Sequence, residues 1–336
     1  MKLDTLSLEE WGDALPSSGF EPFHAPAALG VLDEHADGDL RLYGAFKGDR
    51  PVGLFPAVVR EQSVGTAVMS PPPGFSIPHL GPLVMPASPK RRKREKVNTK
   101  FAEALVDELG VESSLTLFRT VCNTSFPDPR PYIWNDFDLE TRFTYELHVG
   151  DEDPEDLLTA CSKSLRREIR DARDLDVTVD VEGQEGTRAV FDRTAERYAE
   201  QDRGFSLTWP YVRDLTDAMA ADDRSRTYVV RGPDGEFLTG VIALFSNDAA
   251  YYWLGGARTT HEGVSVNSLV HWTIVQDIAA GEPRESIHTY DLMGANTERL
   301  CRYKSKFGAD LAPYYVVESG GAGMDVAKRA YNLVAR

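Results

Sequence analysis

The sequence predicts an α+β protein of two successive domains, each a mixed, mostly antiparallel sheet flanked by helices. Three observations lead there. At 336 residues the chain is longer than one hydrophobic core usually supports. Its 42% hydrophobic and 10% aromatic residues suit packed interiors and argue against disorder. One order of elements (strand, strand, strand, helix, strand) also occurs twice, shifted by about 185 positions.

In the first half "LEEWGDAL" and "PAALGVLDEHA" read as helices. "RLYGAFKGDRPVGLFPAVV", 41–59, reads as strand, Gly/Asp turn, strand, because apolar residues alternate on both sides of a hairpin signal. A further apolar segment follows through "PHLGPLVMPASP". The helical pattern "KVNTKFAEALVDELG" and the strand "SLTLFRTV" complete the set.

The second half opens with the helical stretches "PEDLLTACSKSLRREIRDARDL", "GTRAVFDRTAERYAEQD" and "WPYVRDLTDAMAA". It continues with the hairpin "RTYVVRGPDGEFLTGVIALFS", 226–246, the segment "AAYYWLGGARTTHEG", the helix "VNSLVHWTIVQDIAAG" and the strand "SIHTYDLMG". A meander joined through a helix to one more strand makes that last strand parallel. The boundary is expected where "RFTYELHVGDEDP" runs from strand into an acid-rich turn, giving domains 1–143 and 144–312. "DVAKRAYNLVAR" reads as a final amphipathic helix.

With 53 Asp and Glu against 37 Lys and Arg, the net charge is −16. Such a surface repels nucleic acid and anionic membrane in the mean field, and it is also what an acidic proteome adapted to salt would favour. Cys122, Cys161 and Cys301 are odd in number and form no CxxC, which argues for a reducing compartment. The amino terminus lacks an apolar signal core, and the uncharged run 63–89 carries seven prolines, so no integral membrane segment is expected and the location is read as cytoplasmic. The histidines show no metal-binding spacing, and neither G-x-S-x-G nor a P-loop is present; no metal and no nucleophilic triad are predicted.

Two local departures from the acidic background stand out. "PKRRKREK", 89–96, reads as a loop ahead of a helix. Cations at a helix start oppose the macrodipole unless an anion is near, so it is either an anion-binding run or a solvated one. In "RLCRYKSKFG", 299–308, helical spacing puts Leu300, Tyr303, Lys304 and Phe307 on one face, with Asn296 or Thr297 to cap the start and Gly308 the end. Lys304 on that apolar face either snorkels to solvent or serves a site.

Asp291 ends a parallel strand beside that helix, placed to orient the lysine, accept a proton or cap the following turn. Beside the cations of "KSLRREIRDAR" the acids Glu168, Asp171 and Asp174 offer partners at i, i+3 and i, i+4 spacing, a solvated, ion-paired face. Tyr252 alternates with its aromatic flanks on a strand, as a groove wall would.

In their order and spacing, "SKSLRREIRDARDLDVTV", "RGF", "AAYYWLGGA", "SLVHWTIVQDIAAG", "YDLMGA" and "YKSKFG" resemble the Fem-type (FemAB-like) transferases of the GNAT superfamily. The resemblance covers most of 144–312 and, more loosely, "LYGAFKGDRPVGLFPAVV" and "SPPPGFSIPHLGPLV". It implies two tandem GNAT-like domains, with 313–336 returning to the first. It also implies an acyltransferase, of N-acetyltransferase or aminoacyltransferase type, acting on an amine.

Tyr303 and Lys304, ahead of Phe307 and Gly308, match the family's pair beside the acyl-transfer centre, where the lysine stabilises charge on the tetrahedral intermediate. With Asp291 they form the implied catalytic set. Arg203 matches a phosphate-binding arginine, with its glycine shifted by one place, and Arg166 a repeated basic position. Tyr252 and Asn267, on the strand and at the head of the helix in these motifs, complete the substrate-binding set.

The loop 258–263 departs from the R/Q-x-x-G-x-G/A pattern of coenzyme A enzymes, so the donor stays open between acyl-CoA and aminoacyl-tRNA, and no tightly bound cofactor is implied. The acceptor is a small-molecule, lipid-linked or nucleotide-linked amine. The reading from another class is a catalytically inactive GNAT-like binding or scaffold protein.

Overall fold

The computed structural model describes residues 1–320 apart from 64, 86–87, 112–114 and 151. The expected last helix, 325–336, lies outside the described residues. The chain divides into two compact units, Met1–Arg142 with the segment from Pro313, and Phe143–Ala312.

The first unit contains strand β1 (Leu3–Thr5), helices α1 (Leu8–Ala14) and α2 (Pro26–His35), strands β2 (Asp39–Lys47), β3 (Arg50–Glu61), β4 (Thr66–Ser70) and β5 (Leu83–Val84), helix α3 (Arg91–Glu108), strand β6 (Thr116–Val121) and helix α4 (Arg130–Ile133). Ser7 and Glu10 close a capping box on α1, which satisfies two of its orphan amides. The strands β2, β3 and β4 form an antiparallel meander and β4 pairs with β6 in parallel, as the order of elements predicts.

Two readings need correction here. The third strand is Thr66–Ser70, upstream of "PHLGPLVMPASP", whose prolines leave only the two-residue β5. The basic run is no loop either. Helix α3 begins at Arg91, because Arg, Lys and Glu are strong helix formers and Arg91 pairs with Glu95 one turn on at 3.1 Å.

In the second unit lie β7 (Phe137–His148, from Phe143 on), α5 (Pro154–Ala160), α6 (Lys163–Arg173), β8 (Thr178–Glu182), α7 (Gln184–Glu200), α8 (Trp209–Ala220), β9 (Ser225–Arg231), β10 (Phe237–Phe245), β11 (Ala249–Gly255), the short pair β12 (Thr260–His261) and β13 (Val264–Ser265), α9 (Asn267–Ala279), β14 (Thr289–Asp291), α10 (Glu298–Lys304) and the start of β15 (Asp310–Ser319). The stretch read as one helix from 154 is two. Ser162 interrupts it and caps α6 by accepting from the Leu165 amide. β8, over the alternating "VTVDVE", and β15 add two strands to those expected.

The strands β9, β10 and β11 repeat the antiparallel meander, β11 pairs with β14 in parallel, and β14 pairs with β7 antiparallel. Residues 239–245 of β10 are all buried, as a central strand covered on both faces requires. Val241, Ala243 and Phe245 join Val270, Ile274 and Ile278 of α9 in one core cluster, while Gly240, on the opposite face, lies against Val190 of α7. Burying each of the Val, Ile and Phe side chains in that cluster is worth about 1.5–3 kcal/mol. Among the described residues, no helix is long and apolar enough to cross a membrane.

Candidate active site

The site grows out of the end of β14. Asp291, buried, accepts from the Met293 amide at 2.7 Å and from the Thr144 hydroxyl. These bonds fix a turn in which Met293 and Gly294 both take φ of 57°. That turn presents two carbonyl oxygens to α10. The Lys304 amine donates to the Met293 oxygen and faces the Gly294 oxygen at 3.4 Å. It also lies 5.4 Å from the centre of the Tyr252 ring.

Lys304 is only 6% exposed, so the snorkelling alternative does not hold. The helical face predicted for Leu300, Tyr303, Lys304 and Phe307 is the inward one, although the last turn tightens to a 3₁₀ helix over Ser305–Phe307 and Gly308 ends it at φ 74°. Thr297 occupies the cap position without a side-chain bond. Burial pulls the Lys304 amine down to about 8, against the opposing pull of the Asp291 carboxylate. At neutral pH it is still mainly an ammonium, held at low dielectric.

Tyr303, the neighbouring residue, faces α9. Asn267 donates through Nδ2 to the Tyr303 oxygen at 2.9 Å, and the Ser268 hydroxyl is 3.5 Å from it. Ser268 in turn donates to Glu168 Oε2 at 2.9 Å, and Lys306 sits 3.7 Å from Glu168 Oε1. Burial pushes the Tyr303 phenol above its usual value, so it keeps its proton. The Asn267 Oδ1 atom is buried and accepts no hydrogen bond from the described residues. His271, buried behind this layer and 6.1 Å from the Tyr303 ring, is driven down to about 3 by burial and by Lys304, and is neutral.

Tyr252, Asn267, Tyr303 and Lys304 all line one cavity of about 420 Å³ within the second unit. Its charged lining is one-sided: Arg197, Arg258, Arg299, Arg302, Lys304 and Lys306 against Glu168 alone. In a chain of net charge −16 this is a local reversal of sign. The opposite wall depends on two glycines. Gly255 and Gly256 have φ of 106° and 67°, and a β-carbon on Gly256 would overlap the Tyr252 hydroxyl. That hydroxyl donates to the Gly255 oxygen at 2.7 Å.

The structure therefore brings together Lys304, Tyr303, Tyr252 and Asn267, with Asp291 behind the lysine. It does not bring in the other two predicted residues. Arg203 is exposed, with its guanidinium over the Tyr198 ring at 5.0 Å, and Arg166 is half-buried on α6 outside the cavity lining. On α6 it is Glu168 that reaches the site. Its spacing from the arginines read as ion pairing, but among the described residues it is Asp171 that pairs within α6, with Arg167 at 3.3 Å. Arg258, Arg299 and Arg302 were not singled out, although a cation-dense "ERLCRYKSK" in an acidic chain was the available signal. The loop 258–263 folds into the β12–β13 hairpin instead of a glycine-rich phosphate cradle.

Residues 159–305 match the family model described as acetyltransferase (GNAT) domain. The second unit belongs to the GNAT superfamily. The enzyme class that goes with this GNAT domain is acyl transfer. Over nearly the whole chain the fold is similar to that of FemX, at 12% identity, with 94% of this chain and 97% of that one covered and a TM-score of 0.68. It is also similar to the C-terminal domain of a putative lysylphosphatidylglycerol synthetase from Agrobacterium fabrum (13% identity, 97% and 96% covered, TM-score 0.56). A third similar structure is L-PGS from Bacillus licheniformis (13%, 92% and 96%, 0.54). At these identities the likeness establishes the Fem-type fold alone. No curated protein sequence matches the chain.

Proposed function

We propose that the protein transfers an acyl or aminoacyl group to an amine, and that Lys304 stabilises the oxyanion formed on the way. The observation that carries this reading is the buried ammonium of Lys304 on the wall of a cationic cavity in a GNAT domain. The acceptor amine attacks the acyl carbon, a C–N bond forms and the carbonyl oxygen gains negative charge. An ammonium fixed in place where water is scarce favours that charge without reorganising.

Collapse of the intermediate expels the donor's oxygen or sulfur, which takes up a proton as the new nitrogen loses one. The Tyr303 hydroxyl, protonated and next to Ser268 and Glu168, is positioned to hand that proton over. Asn267 Oδ1, buried without a partner, suits an N–H of the substrate. The cluster of arginines around the cavity suits phosphate or carboxylate on one of the two substrates, in keeping with a nucleotide-linked or lipid-linked acceptor or a charged tRNA donor.

The test is direct. Purified protein is offered acetyl-CoA, a longer acyl-CoA and aminoacyl-tRNA, each with a panel of amines, and transfer is followed by mass spectrometry. One donor should support turnover, and Lys304→Ala should lower its rate by about 10²- to 10³-fold while the fold is kept. No transfer from any donor, or full activity in the variant, would overturn the reading.

A further inference from the structure

The basic start of α3 plays no part in that chemistry. Six of the seven residues from Lys90 to Lys96 are cations, three of the chain's ten lysines among them, and Glu95 is the single acid. They occupy the first turns of an 18-residue helix with no side-chain cap and no acid in its first turn. That placement works against the helix dipole and is retained against local preference.

Helical spacing puts Arg91, Arg94, Glu95 and Asn98 on one face, and all four line a cavity of about 560 Å³ closed by Pro127, Asp128 and Arg130. Asn98 is buried and donates to the Asp128 carbonyl at 2.7 Å. Arg130 is held by Asp128 at 2.7 Å and Glu95 at 3.1 Å, and Arg91 by Glu95 at 3.1 Å, which leaves Arg94 as the guanidinium on the wall that forms no ion pair among the described residues. Beside the cavity the Arg130 guanidinium lies 5.6 Å from the centre of the Trp134 ring. Trp134 is 61% exposed, the most exposed large apolar side chain among the described residues, and Ile133 next to it is 46% exposed.

We infer that this face of the first unit binds an unpaired nucleotide of a single-stranded nucleic acid. The cations track the phosphates and the indole supplies a stacking face. The carboxylates of Glu95 and Asp128 offer acceptors to base amino groups inside the cavity. A bilayer surface would not enter a concave pocket lined by carboxylates, which decides between the two polyanions. The acidic remainder of the surface does not forbid this, since charges beyond about 8 Å are largely screened at physiological salt. The inference is independent of the acyl-transfer reading.

Fluorescence anisotropy of the full chain with labelled unstructured 12-mers of RNA and of DNA, in a salt series, provides the test. Binding that weakens with salt is expected with at least one of them. Arg91→Ala with Arg94→Ala should cut affinity at least tenfold and make the salt slope shallower by about 1.4, about 0.7 per cation removed from a single strand. Trp134→Ala should cost about tenfold and leave the slope unchanged. All three substitutions are at exposed positions, so melting temperatures near the parent's are expected and will be measured alongside. Absence of binding at low salt, affinities indifferent to both variants, or binding to phosphatidylglycerol vesicles without binding to either 12-mer would each overturn the inference.

Discussion

The amine of Lys304 donates to the carbonyl oxygen of Met293, a residue held in the left-handed region at φ 57°. A non-glycine residue reaches that region only where its surroundings fix it. Here the fixing group is the Asp291 carboxylate, which accepts from the Met293 amide. The lysine is thus aimed by a turn two residues long, and the turn by one carboxylate.

Asp291 has two separable effects, one through its charge and one through its hydrogen bond. Asp291→Asn keeps an acceptor for the Met293 amide but removes the charge that holds the Lys304 pKa up. It should fold almost as the parent does, and the alkaline fall in its activity should shift to lower pH. Asp291→Ala also frees the turn, with an expected cost of about 1–3 kcal/mol. Thermal unfolding with pH–rate profiles of both variants checks this; an Asn variant with the parent's profile would contradict it.

The pH dependence of the parent follows from Lys304. If the ammonium is the working form, the rate declines as pH rises through about 8. Stability runs the other way. The folded-state pKa lies below the ordinary lysine value of 10.5, so between about 8 and that value the unfolded chain binds more protons, and this group makes folding more favourable as pH climbs. Lys304→Arg, charged throughout, should lack the decline in whatever activity it retains. Rate and melting temperature measured together from pH 6.5 to 9.5 distinguish the effect from unfolding.

Removal of the Tyr303 hydroxyl should separate binding from chemistry. Tyr303→Phe leaves Asn267 Nδ2 without its 2.9 Å acceptor and takes away the proton-bearing group. A fall in kcat of about 10²- to 10⁴-fold is expected if that proton transfer is rate-determining. Asn267→Ala should act mainly on KM. Steady-state kinetics of the two variants with one donor show whether the effects divide in this way.

Gly256→Ala tests the shape of the cavity wall. The new methyl group overlaps the Tyr252 hydroxyl and sits on backbone at φ 67°, so the Tyr252 ring must move from its place over Lys304. Activity should drop well beyond what the loss of stability explains. A variant with parental kcat and KM would show that the ring's position does not matter.

Much of the architecture was legible before any coordinates. The hairpins at 41–59 and 226–246, the helix periods after them and the closing strands are local patterns, and each unit pairs them as an antiparallel meander with a parallel strand. Lys304 was legible too, because a cation on the apolar stripe of a short helix contradicts its neighbours. Where local signals competed, the reading slipped. Helix-forming cations extended α3 back over a supposed loop, and a proline-rich segment passed for the third strand.

The sequence by itself determined the order of elements, the class of fold and the oddity of Lys304, since these depend on residues close together along the chain. Only the tertiary structure decided which charges meet. Glu168 turns from its helical neighbours to Ser268, Arg203 settles on Tyr198, and Arg258 and Arg299 converge on Lys304's cavity from different loops and helices. The Glu168–Ser268 bond is set by packing between segments a hundred residues apart, which spacing along one helix or strand cannot encode.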